Sequence, residues 1–291
     1  MIRFGPAGSG ARFTELGYKS SLQVPGYLET LGLNAFEYQC GRGVHIGEDK
    51  ARGLGEKARE HGIALSLHAP YYISLSSPEK EKRDNSINYI LQSARAVNAM
   101  GGTRIVVHSG ALSKMTREEA LSLALDTMKR ALEALDAEGL SHIRPCPETM
   151  GKVNQLGTLQ EVMEICKLDE RLIPCIDFGH LNARDHGFFQ SIDDYDTVFR
   201  IIENELGASR LHEFHSHFSK IEYSAGGEKR HLTFEDTVYG PDYEPVMELT
   251  LRHGCEPTFI CESAGTQDID AAAMFSYYRS LRQGAGKDDV K

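Results

Sequence analysis

Residues 85–110 read NSINYILQSARAVNAMGGTRIVVHSG, and the fold is decided by how this stretch is parsed. Ile87, Ile90, Leu91, Ala94 and Val97 recur at three- and four-residue spacing, which predicts an amphipathic helix over Asn85–Met100. Gly101 and Gly102 follow, where a helix C-terminus favours glycine. A short β-branched run, Arg104–Val107, then ends on His108.

The same alternation of helix and short apolar run repeats in both directions. Strands are predicted at Ile2–Gly5, Ala35–Tyr38, Ile63–Leu67, Arg104–Val107, Ile143–Pro147, Leu172–Ile176, Leu211–His217 and Thr258–Cys261. Further helices are predicted over Arg117–Ala137 and Thr158–Cys166. Helix starts are marked by Ser77 with Pro78 and Glu79, and by Thr116 with Glu118 and Glu119. Eight strand–helix pairs without a linker predict an α/β fold, a single (β/α)8 TIM barrel over 1–283, with a flexible tail at 284–291. The length of 291 residues suits that architecture, which commonly takes about 250. A doubly wound open sheet is the alternative with the same periodicity.

With 41% hydrophobic and 25% charged residues the chain has a globular composition rather than a disordered or fibrous one. No apolar run is long enough to span a membrane, and MIRFGPAGSG lacks a signal-peptide pattern, so a cytoplasmic location is expected. Cys40, Cys146, Cys166, Cys175, Cys255 and Cys261 show no CxxC spacing and are expected to be mostly buried thiols. The net charge of −10 argues against a generally basic nucleic-acid surface. It leaves open a local phosphate site built around cations.

At six successive strand ends the apolar run meets a possible metal ligand. LSLHAP gives His68, IVVHSG gives His108, PCPETMGK gives Glu148, PCIDFGH gives Asp177 and His180, FHSHFSK gives His215 with His217, and FICESA gives Glu262. In a TIM barrel these ends open onto one face. A single histidine there is more often structural, but buried carboxylates are rare unless paired or bound to metal, and three facing each other need cations between them. Imidazole and carboxylate without cysteine suit Zn2+, Mn2+ or Fe2+. The donors exceed the needs of one ion. Two or more ions can clamp the attacking and leaving oxygens of a phosphodiester.

The order His, His, Glu, Asp-x-x-His, His, Glu at consecutive strand ends resembles the endonuclease IV family, which carries three zinc ions and cuts DNA at abasic sites. The resemblance implies DNA containing abasic sites as the partner, with no membrane and no obligatory protein partner. It implies that Glu148 bridges two metals, with His68 and His108 on the first and Asp177, His215 and Glu262 on the second. His180 and His231 fall to a third. Glu148 and Glu262 are then expected to be indispensable for catalysis. The family's HxxY element matches His68 and Tyr71, making Tyr71 a candidate DNA contact, and its H-x4-K element matches His215 and Lys220. That spacing favours His215 over His217 as the ligand. The family's D-x-H is replaced here by Lys229-x-His231, with Glu228 adjacent. This predicts two firmly held ions, a third that is weak or absent, and a Lys229 that contacts substrate phosphate.

Sugar isomerases and epimerases resembling xylose isomerase are the second reading, because Glu148, Asp177, His215 and Glu262 could hold their single metal. The surplus His68, His108 and His180 favour the nuclease. A binding protein descended from an enzyme is the third reading. Gly5-x-x-Gly8-x-Gly10 reads as a turn rather than a nucleotide loop, and Ser216 lacks a G-x-S-x-G elbow.

Overall fold

The computed structural model describes residues 1–288. Among them ten strands form: β1 Arg3–Pro6, β2 Ala35–Gln39, β3 Ala64–His68, β4 Arg104–Val107, β5 Arg144–Pro147, β6 Cys175–Asp177, β7 His215–Phe218, β8 Ile221–Ser224, β9 Gly227–His231 and β10 Thr258–Cys261. Two parallel sheets run in the order β1-β10-β7-β6 and β2-β3-β4-β5, and β8 with β9 makes a separate antiparallel hairpin. Bridges Ala7–Glu37 and Glu148–Cys175 join the two sheets into a ring. The fold is therefore the closed (β/α)8 barrel, not the open sheet.

Both seams have local causes. In β5 the even-numbered residues turn their N–H groups to β4, as Arg144 does to Thr103 O and Glu148 to Val107 O, while Thr149 turns its own to Cys175 O. Pro145 and Pro147 occupy the odd positions, so the donors that β6 needs are missing and pairing shrinks to one bridge. At the other seam β1 and β2 nearly touch. A Cβ on Gly5 would lie 1.9 Å from Ala35 O, and Asn34 replaces a ladder bond by accepting from Phe4 N at 2.7 Å.

Alternation by two sorts the strand residues. Ile105, Val107, Phe259 and Cys261 join the large core that includes the helix residues Ile90 and Met128, whereas Val106, Cys146, Ile173 and Cys175 form a smaller cluster of their own. At the N-terminal end, Arg144 grips Glu213 at 2.6 and 2.8 Å and Arg104 approaches it at 3.3 Å, forming a charged floor.

The helices Lys80–Ala99, Arg117–Ala137 and Leu159–Cys166 occupy the predicted places, and Thr116–Glu119 and Thr158–Glu161 form capping boxes. Two strands are shorter than the sequence suggests. Leu211–Glu213 belongs to a helix, Ala208–Glu213, restarted at Gly207 with φ +87, and β6 begins only after Pro174. The last helix, Gln267–Asp288, runs into the segment assigned to a flexible tail, and 289–291 lie outside the described residues. All six cysteines are buried and free. Among the described residues no helix is long and apolar enough to cross a membrane.

Candidate metal centre

The barrel interior and the C-terminal ends of the strands gather several overlapping donor sets, each with ligand atoms within 4.8 Å of one another, and three of them take in every donor at the mouth. The first is His68, His108 and Glu148; the second is Glu148, Asp177, His217 and Glu262; the third is His180, Glu228 and His231. Glu148 is fully buried and common to the first two, with Oε2 3.4 Å from His68 Nε2 and 3.0 Å from His108 Nε2. Its Oε1 lies 3.0 Å from His217 Nδ1, which is 3.5 Å from Glu262 Oε2. Asp177 closes β6 and caps the helix Phe178–Arg184, accepting from His180 N at 2.8 Å. That short helix brings His180 to the wall of the site.

Register explains why His217 stands here and His215 does not. Asp177 pairs with His217, while Cys175 pairs with His215 one layer deeper, and two strand residues span about 6.6 Å. His215 instead meets Glu37 at 2.9 Å inside the barrel. The expectation drawn from the spacing to Lys220 is corrected accordingly. Both histidines face inward, and only the depth separates them.

The third set depends on the hairpin. Along β8 and β9, Ile221 pairs with His231, Glu222 with Arg230 and Tyr223 with Glu228, so Lys229 is an extra residue at a β-bulge. The bulge absorbs one position. Glu228 and His231, three apart in sequence, therefore reach the same side, and Glu228 Oε2 lies 3.5 Å from His180 Nε2. The hairpin is docked by Glu228 N donating to Gly151 O at 3.0 Å and Val153 N to Gly226 O at 3.1 Å. Lys229 points the other way, to Glu222, and its side chain is 51% exposed. The substrate contact expected of Lys229 has no geometric support, and the carboxylate it was thought to displace is supplied by Glu228.

The donor chemistry fits a cation. His68 Nδ1 donates to Ala69 O at 2.8 Å and His180 Nδ1 to Thr149 O at 2.9 Å, because a carbonyl can only accept. Their Nε2 atoms then present lone pairs to Glu148 and Glu228, acceptor against acceptor. Glu148 Oε2 and Asp177 Oδ2 are buried without a hydrogen-bond partner. Such atoms are expensive unless a proton or metal lies between them. Burial pushes the Asp177 carboxyl up, with Glu148 and Glu262 adding to the rise against His180. Burial opposes ionisation of Glu148 too, yet the neighbouring His217 and His108 imidazoles hold it well below the usual range.

A cavity of about 390 Å3 opens over these groups, lined also by Tyr71, Met150, Lys152 and Gln155. Tyr71 is 57% exposed, its ring 5.3 and 5.4 Å from those of His68 and His108, and burial followed by the charges of Glu262 and Glu148 pushes its hydroxyl up to about 12. The loop carrying Lys152 is clamped by two guanidinium groups: Arg184 donates to Met150 O, Lys152 O, Val153 O and Gln155 O, and Arg117 to Val153 O and Gln155 O. Lys220 is turned to Asp236 O at 2.7 Å and Asp242 at 3.1 Å, away from the cavity lining, which leaves its expected substrate role without support. Sequence reasoning missed Glu37 and Lys152, and named Glu228 only as a residue that could rescue the third set if the loop turned locally. A carboxylate inside the apolar run AFEYQ was the signal for Glu37.

A family model described as a xylose isomerase-like TIM barrel matches residues 26–279. The chain belongs to the xylose isomerase-like TIM barrel family. Within it, an uncharacterized protein of Methanocaldococcus jannaschii is 33% identical over 284 residues, 97% of this chain and 98% of its own. A probable endonuclease 4 of Acholeplasma laidlawii is 27% identical over 177 residues, so the match spans only 59% of that protein and 59% of this one. Among solved structures, D-psicose 3-epimerase from Clostridium cellulolyticum superposes with a TM-score of 0.67 at 15% identity, covering 96% of this chain and 99% of its own. Endonuclease IV of Thermus thermophilus does so at 0.64 and 18%, with the same coverage. Both structural likenesses bear on the fold alone. Membership of this family makes the chain an enzyme scaffold, and its donors must decide the chemistry.

Proposed function

We propose that this member of the xylose isomerase-like family is a metal-dependent phosphodiesterase that cuts DNA at abasic sites. The observation that carries the reading is the surplus of donors: three contiguous sets, the first two sharing Glu148 and the third completed by Glu228. Two or three divalent ions, zinc first and manganese or iron as alternatives, would supply Lewis-acid polarisation and neutralise the charge that builds up in displacement at phosphorus. Glu148 and Glu262 line the cavity, Tyr71 offers an aromatic face to it, and Lys152 adds a cationic residue to its lining. With a net charge of −10, attraction for DNA has to come from this loaded mouth rather than from the whole surface.

Glu148, Asp177, His217 and Glu262 alone form a one-metal set, which is the specific observation favouring a sugar epimerase as the second reading. It leaves His68, His108 and the His180 set without employment. The test is incision of a duplex bearing one abasic-site analogue, run beside undamaged duplex and a panel of ketoses after zinc, manganese or iron loading. Cleavage confined to the abasic duplex, leaving a 3′-hydroxyl, is expected. Ketose epimerisation without DNA cleavage under any loading would replace this reading with the second.

A further inference from the structure

We infer that Glu37, on β2 and remote from the strand ends, is a positioning residue that selects which nitrogen of His217 faces the metal. The inference rests on the reading that Glu148, Asp177, His217 and Glu262 hold an ion. Glu37 is fully buried in the barrel interior. Its Oε1 lies 2.9 Å from His217 Nε2 and 3.3 Å from Gln39 Nε2; its Oε2 lies 2.9 Å from His215 Nε2 and 2.9 Å from Ser66 Oγ. Each of these four neighbours can donate.

Gln39 Nε2 and Ser66 Oγ donate to the same two oxygens, which leaves the carboxylate no partner for a proton of its own, so it accepts from both imidazoles at Nε2. His217 is thereby left with a lone pair on Nδ1, the atom 3.0 Å from Glu148 Oε1 and 3.5 Å from Glu262 Oε2. His68 and His180 are oriented the opposite way: a backbone carbonyl takes their Nδ1 proton and frees Nε2. Inside the barrel the strand carbonyls are engaged in the ladder, so His217 needs a side chain from across the interior. Glu37 is the group that reaches it. Carboxylate partners of this kind fix ring rotation and tautomer and make the imidazole a better donor.

Zinc affinity measured by chelator competition on the full chain tests this. Glu37→Ala is expected to weaken one equivalent about 10–100-fold while the others stay as in the wild type. Glu37→Gln, whose amide oxygen can still accept from His217, should weaken it less. Thermal stability in excess chelator reports any purely structural role, which would lower stability and leave affinity unchanged. Wild-type affinity for every equivalent in both variants overturns the proposal. Where Glu37→Ala does not fold, Glu37→Gln and the imidazole 15N–1H spectrum of zinc-free wild-type protein decide it. A His217 that carries a proton on Nε2 supports the role, and a ring protonated on Nδ1 alone overturns it. Zinc uptake indifferent to Glu262→Gln would sink the metal reading instead, and the same spectrum would still decide Glu37.

Discussion

Glu228→Gln and Lys229→Ala, adjacent substitutions, should have opposite consequences. Glu228 is the one carboxylate in the set with His180 and His231, its side chain 15% exposed, and its Oε2 faces a histidine lone pair at 3.5 Å. Replacing it with an amide leaves two imidazoles and a neutral carbonyl. Outer-shell partners alone are worth about 10–100-fold in metal affinity, so loss of a direct donor should reach at least the upper part of that range. Lys229 sits on the outside of the bulge, half exposed and paired with Glu222. Exposed pairs contribute about 0–1 kcal/mol, so its loss should shift the unfolding temperature by a few degrees at most and leave metal content alone. The assay is elemental analysis after gentle desalting, followed by chelator titration. Loss of one equivalent in Lys229→Ala with full retention in Glu228→Gln would refute the bulge argument and restore the simple reading of Lys229-x-His231.

Glu148→Gln should release metal from both sets that share this residue and abolish turnover; unchanged zinc content would remove Glu148 from the centre. Tyr71→Ala should weaken binding of abasic duplex by roughly 1–3 kcal/mol, the range for base–aromatic stacking, without altering metal content, and equal DNA affinity by fluorescence anisotropy would reject that contact. Glu161 accepts from Arg117 and from the N–H groups of Gly157 and Thr158, and although burial opposes its charge these hold its carboxyl below the usual 4.5. A lowered folded value means that this stabilisation is present above 4.5 and lost as pH falls through the folded value. Glu161→Gln should therefore cost about 1 kcal/mol near neutrality and flatten the acid limb of unfolding temperature against pH; superimposable acid limbs would exclude it.

The barrel was legible because its signal repeats. Each unit carries a helix period followed by a short apolar run, and an error in one boundary, such as Leu211–Glu213, leaves the other seven pairs intact. The donor types were legible for the same reason, since Glu148, Asp177 and Glu262 stand out against apolar strands. Depth was not legible. His215 and His217 share a face, and only the pairing of Asp177 with His217 says which reaches the mouth. The hairpin was not legible either, because Ile221–His231 is short and largely polar, and a bulge makes a three-residue spacing behave as two. Lys229 was therefore assigned the position that Glu228 occupies in space.

Polar groups inside the barrel differ from floor to mouth in a way that locates the function independently of any sequence pattern. At the floor, Arg104 and Arg144 meet Glu213. One layer higher, both Glu37 oxygens are filled by His215, His217, Ser66 and Gln39. At the mouth the matching stops: Glu148, Asp177, Glu228 and Glu262 converge with histidines whose free nitrogens also accept, and two buried oxygens have no donor. A fold that pairs its interior carboxylates layer by layer and then leaves a concentrated deficit of positive charge at the mouth is suited to having that deficit filled by something outside the chain. Protons can fill it only in part, since a proton bridges two acceptors whereas the donors here come in sets of three and four. Divalent ions match that count, and three of them would outweigh the four carboxylates of the mouth within a chain whose formal charge is −10. The net charge and the proposed phosphate-binding site are thus compatible in one chain, because bound cations would carry the charge that Lys and Arg do not.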